Sequence, residues 1–169
     1  DEEARAILIS DSKEFIKNVN NYLLSFLKLI NRKKIASKAL KKNGLAILIQ
    51  DINFAHYVVN YIAPEHLEIM SKNKNFLAKK IINAGAIFMG EYTPEAFGDY
   101  VAGPSHVLPT SGNARFESGL SVLDFLKRTS YIEANKIGLK KTINSIEVLG
   151  NSEGLDAHVK SAKIRFSKE

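Results

Sequence analysis

Apolar residues follow two rhythms along this chain. Short unbroken runs, RAILIS (5–10), LAILI (45–49), HLEIM (66–70) and AIFMG (86–90), have the length of strands and predict four of them. Between them the spacing changes to that of helices. Phe15, Val19, Tyr22, Leu23, Phe26 and Ile30 recur at helical intervals behind the capping-box pair Asp11 and Glu14, and predict a helix to about Ile30. Asn43-Gly44 breaks the chain before the second strand. Asp51 then caps a helix with Phe54, Val58 and Ile62 on one face, and NFLAKKIINAG is a short helix closed by Gly85. Strands alternating with helices predict an α/β fold, with one parallel sheet flanked by helices like half of a Rossmann domain.

The pattern changes again near residue 120. Ser121 and Asp124 predict a capped helix over VLDFLKRTSYIEANK. A second helix is expected around KKTINSIEVL, and a short amphipathic one from about Glu153. No strand follows, so we expect an α/β domain over residues 1–120 and a helical C-terminal tail over 121–169.

Composition narrows the setting. The chain has 169 residues, 45% of them hydrophobic and 25% charged, as in a globular protein. It has no cysteine, which excludes disulfides and zinc–thiolate sites and favours the cytoplasm. Its apolar runs fall far short of the ~20 residues a membrane helix needs, so no membrane partner is expected. The net charge of +6 raises nucleic acid as a partner. The densest basic run, KLINRKKIASKALKK, has neither a recognition motif nor interleaved aromatics and reads as a solvated helical face. The first residue is Asp1 and the first strand starts almost at once, as expected for a piece of a longer protein.

Between Gly98 and Gly112, GDYVAGPSHVLPTSG is a long irregular loop that carries Asp99 and His106. Such loops are uncommon in compact domains and are often functional. It follows the fourth strand after one turn of helix, which we expect Thr93 to cap with Pro94 at its first position. Ligands of α/β proteins gather beyond the C-terminal ends of the strands, so this loop lies where a site is expected. Three polar pairings accompany it: Glu65-His66 before the third strand, Asp99 with His106, and Glu153 with His158 in the tail. Each alone reads as a solvated polar group. Together they offer an acid–base pair beside carboxylate and imidazole metal donors. His56, among Phe54, Tyr57 and Val58, reads as structural.

At these residues the chain resembles histidinol dehydrogenase. PEHLEI matches that family's Glu-His motif, GDYVAGPSHVLPTSG its Asp/His loop, SVLDFLKR its Asp-Phe-x-Lys-Arg helix, and EGLDAH its tail motif. The resemblance implies oxidation of L-histidinol to L-histidine through a bound aldehyde, with zinc and two NAD+. It makes Glu65 and His66 catalytic, with His66 taking the alcohol proton and Glu65 activating water. It makes Asp99 and His158 zinc ligands, and gives the substrate contacts to His66, Asp99, His106, Glu153 and His158. It also implies a homodimer whose tails are exchanged. The family's Gln-x-x-His motif, which supplies the other two zinc ligands, precedes the point at which this chain starts, as does the NAD-binding half. The expectation is therefore a C-terminal portion inactive alone; the alternative is a non-catalytic remnant that serves only as a folded or dimerisation fragment.

Overall fold

The computed structural model describes residues 1–166. The chain divides into two compact units, Asp1–Phe125 and a second beginning at Leu126.

The first unit carries the four strands: β1 (Ile7–Ser10), β2 (Leu45–Leu48), β3 (His66–Ile69) and β4 (Ala86–Met89). All pairings are parallel, β1 with β2 and β3 with β4. The class is α/β as expected, but the single four-stranded sheet is not formed. Two separate two-stranded sheets take its place. Ile9 of β1 and Ile49 after β2 pack, with Leu67 of β3, against a buried cluster of Ala55, Val59, Ile69, Leu77 and Ile81. Side chains join the two pairs where a continuous sheet would use a backbone ladder.

Helix α1 (Lys13–Phe26) starts at Ser12, whose Oγ accepts from the Phe15 amide at 3.1 Å, one residue later than the expected cap. It ends before Ile30, and its apolar stripe forms without being covered: none of its residues is buried. Helix α2 (Lys33–Asn43) takes up most of the basic run and buries only Ala39. Asp51 caps a 3-10 turn (Ile52–Phe54) that leads into α3 (Ala55–Ile62), and α4 (Lys74–Lys80) follows β3. Helix α5 (Glu95–Tyr100) follows β4.

The helix expected from Ser121 nucleates but does not propagate. The Ser121 amide donates to Asp124 Oδ2 at 2.6 Å, yet only a 3-10 turn (Val122–Phe125) forms. Val122, Leu123, Phe125, Tyr131 and Ile132 are all strongly exposed. A cap without a buried face does not stabilise a helix, because most helix stability in proteins comes from packing. The second unit is a hairpin of α6 (Lys136–Ser152) and α7 (Asp156–Lys163). Gly150 faces Val159 so closely that an added Cβ would lie 2.7 Å from its methyl group.

Candidate functional site

The four residues of β3 alternate between two jobs. Leu67 and Ile69 face the core against α3 and α4. His66 and Glu68 point to the opposite face, where α5 lies. A strand's period of two makes HLEI apolar on one side and polar on the other.

Three contacts hold α5 over that face. Glu68 Oε1 accepts from the Glu95 amide at 2.8 Å, so a strand carboxylate caps the helix. Thr93, the expected cap, instead donates its hydroxyl to the Met89 carbonyl at 3.2 Å, and Pro94 takes the cap position. Gly98 lies flat on Phe88, where a Cβ would come within 2.4 Å of the ring. With α5 set this way, Glu95 and Asp99, four residues apart and so on one helix face, both look at His66. His66 Nε2 stands 3.7 Å from Glu95 Oε1 and 4.0 Å from Asp99 Oδ1, and its Nδ1 is 4.0 Å from Glu65 Oε1.

The loop after α5 closes the cluster. His106 Nδ1 is hydrogen-bonded to Asp99 Oδ1 at 2.7 Å. The Leu120 amide donates to the Val107 carbonyl at 2.9 Å, and Arg115 donates to the carbonyls of Gly112 and Tyr61, which ties the loop to the end of α3. Gly85 lets the loop reach the start of β3: a side chain there would collide with the Glu65 carbonyl and crowd Pro109. A cavity of about 830 Å³ opens beside the cluster, with His66, Asp99 and His106 in its wall and Phe88, Phe97, Leu108 and Phe125 giving it an apolar lining.

Glu65, His66, Asp99 and His106 thus meet in one place, although not beyond the C-terminal strand ends. His66 is the first residue of β3 and pairs in register with Ala86, the first of β4. Glu153 and His158 belong to the second unit. Glu153 ends α6, Gly154 turns the chain with φ of 72°, and His158 lies on α7, so the short helix expected from about Glu153 starts at Asp156 and leaves Glu153 on the helix before it. His56 is tied to the Asn53 carbonyl at 2.8 Å and stacked beside Tyr57, as a structural residue would be.

Glu95 is the site residue that the motifs did not single out. Its signal was present: it precedes Asp99 by four residues in a segment already read as helical.

The electrostatics of the cluster are uneven. Glu95 is held above the usual carboxyl range, first by the hydrogen bond its protonated form makes to Asp99, then by burial and the Asp99 charge. Burial pushes Asp99 up as well, but the hydrogen bonds of Glu95 and His106 and the nearby imidazoles outweigh it and hold Asp99 low. His66 Nε2 is buried without a hydrogen-bond partner. His66, Asp99 and His106 each offer a donor atom, all within 4.8 Å of one another. Imidazole nitrogen and carboxylate oxygen are donor types that zinc accepts, so Asp99 and an imidazole are chemically suited to that metal.

A model of the histidinol dehydrogenase family matches residues 1–166. A histidinol dehydrogenase of Gluconobacter oxydans (strain 621H) is 46% identical over 168 residues, covering 99% of this chain and 39% of the relative. One of Aquifex aeolicus (strain VF5) is 44% identical over 165 residues, covering 98% and 39%. The crystal structure of histidinol dehydrogenase from Elizabethkingia anophelis matches with a TM-score of 0.87 at 31% identity, over 98% of this chain and 38% of that one. The chain spans well under half the length of the relatives it matches, and over that span it belongs to the histidinol dehydrogenase family.

Proposed function

We propose that this chain is the acid–base portion of a histidinol dehydrogenase, which oxidises L-histidinol to L-histidine through the aldehyde. The observation that carries the reading is the gathering of Glu65, Asp99 and His106 around His66, whose Nε2 has no partner of its own. In this reading His66 takes the proton from the substrate hydroxyl, a role that needs an imidazole held next to that oxygen. Glu65, the neighbouring carboxylate, draws the proton from the water that adds to the aldehyde. His106 and Glu153 bind the substrate, and the apolar wall of the cavity excludes bulk water from the reacting carbon.

Asp99 and His158 would hold zinc, together with two donors outside the matched motifs of this chain. The metal, when bound, fixes the imidazole and amine of the substrate, and NAD+ serves as the hydride acceptor. Asp99 is suited to its part because it is already ionised and oriented by His106. His158 lies on the helical hairpin, and we assign it to the site of a second subunit in a homodimer with exchanged tails. On this reading the protein works in the cytoplasm, in keeping with a chain that carries no cysteine.

Two ligands do not make a tight zinc site, and the residues that bind NAD+ are not among those assigned here. On this reading the chain is inactive by itself and active when joined to the rest of a histidinol dehydrogenase. Complementation tests this. In a bacterium lacking its own histidinol dehydrogenase, the chain alone should not restore growth without histidine. The same chain joined to the unmatched part of the Gluconobacter oxydans relative should restore it. Failure of the joined protein, if it is expressed and folded, contradicts the proposal; growth on the short chain contradicts the division of labour.

A further inference from the structure

An imidazole that works as a base at one nitrogen is aimed by what its other nitrogen touches. For His66 the two nitrogens have different surroundings. Nε2 is buried, lacks a hydrogen bond, and faces two carboxylates: Glu95 at 3.7 Å and Asp99 at 4.0 Å. Nδ1 faces Glu65 at 4.0 Å. None of these separations is a hydrogen bond, which needs about 3 Å. A buried N–H without an acceptor is costly, so one of the two carboxylates should close on Nε2.

The two carboxylates are not equally free. Asp99 Oδ1, the oxygen nearest His66, is already taken by His106 at 2.7 Å. Glu95 can bond Asp99 through its own proton, but among the described residues nothing donates a hydrogen bond to its Oε1, which is the nearer of the two oxygens to Nε2. An approach of less than about 1 Å brings it into range. Its backbone is meanwhile fixed from below, because its amide is held by Glu68 of β3, two residues beyond His66 on the same strand face. One strand therefore carries both the histidine and the carboxylate that anchors the histidine's partner.

We infer that Glu95 is a positioning residue for His66: its carboxylate accepts the Nε2 proton, fixes the ring, and leaves Nδ1, beside Glu65, as the nitrogen that takes protons. Neither the Glu-His motif nor the Asp/His loop motif assigns Glu95 a role. The hydrogen bond itself does not depend on the reaction proposed above; its catalytic consequence rests on His66 being the base.

The test uses the 169-residue chain labelled with 15N-histidine. A slowly exchanging, downfield ring proton bound to Nε2 of His66 is expected in the proton spectrum. Glu95→Gln, which keeps an accepting oxygen but no charge, should move it upfield. Glu95→Leu should abolish it, while Asp99→Asn should leave it in place. Absence of the resonance in the unaltered chain overturns the inference, as does its persistence in Glu95→Leu or its loss in Asp99→Asn alone. If Glu95→Leu fails to fold, the opposite responses to Glu95→Gln and Asp99→Asn still decide. In the completed protein, Glu95→Gln should lower kcat by roughly 10- to 100-fold with little change in KM, the usual cost of losing a group that orients another. A histidinol oxidation that never appears would refute the proposed function and leave the spectroscopic result standing.

Discussion

His106 Nδ1 and Asp99 Oδ1 stand 2.7 Å apart, so the two polar residues of the glycine-rich loop are bonded to each other across seven positions of chain. The loop's glycine and proline content serves this closure. Gly103, with φ of 95°, and Pro104 turn the backbone just before His106 and bring it back over α5.

This pairing has a pH signature. Asp99 is held below its ordinary value of about 3.9. A carboxyl with a lowered folded pKa contributes stability above its unfolded value and loses that contribution as pH falls through the folded one. Glu95 is shifted the other way. Its contribution is present below its ordinary value, near 4.3, and is lost as pH rises through the raised folded value. His106→Ala should therefore raise the Asp99 pKa, since burial then goes less opposed, and weaken the chain in mildly acidic solution. Carboxyl 13C titration checks this; an Asp99 pKa that does not rise in the variant contradicts it.

Gly98 leaves no room for a side chain against Phe88. Phe88 is buried, so its ring cannot yield to a methyl group. Gly98→Ala should cost about 1–3 kcal/mol in urea unfolding, the usual scale of overpacking. Shortening the ring with Phe88→Leu in the same chain should recover part of that loss. Costs that simply add would show that the two residues do not meet.

In the second unit, Gly150 of α6 and Val159 of α7 carry the same logic. Gly150→Leu should force the hairpin apart, and the loss should show as faster amide exchange confined to residues 136–163. Unchanged protection would mean that the helices do not pack through this pair.

On the proposed function, zinc affinity should separate the chain from the joined protein. Competition against a chromophoric chelator should find the 169-residue chain weaker than the joined protein by much more than the roughly 100-fold that loss of an outer partner costs, since the proposed site takes two donors from outside the matched motifs. Equal affinities would mean that this chain holds the metal alone.

Much of the fold was legible because it is local. The four strands follow from their runs, and the helices near Glu14, Asp51 and KKTINSIEVL from their period. What was not legible depends on partners far away in sequence. Nothing near Ser121 says that Val122, Leu123 and Phe125 lack a surface to bury against, so the helix expected there does not form. Nothing local says that Ile9 and Ile49 pack against the same buried cluster as Leu67. The replacement of Thr93 by Glu68 as the cap of α5 joins residues 27 positions from the helix start. In the candidate site, the residues of the Glu-His and Asp/His motifs meet in one place, whereas Glu95 becomes visible only when α5 is laid against β3.

The most direct test of the central claim follows NADH absorbance with L-histidinol, zinc and NAD+. The chain joined to the unmatched part of its Gluconobacter oxydans relative should produce NADH, and His66→Asn in that protein should slow production by roughly 100-fold or more, the usual scale of general-base loss. The 169-residue chain alone should produce none. Undiminished turnover in His66→Asn would show that the cluster around His66 is not the acid–base centre, and the account built on it would fall.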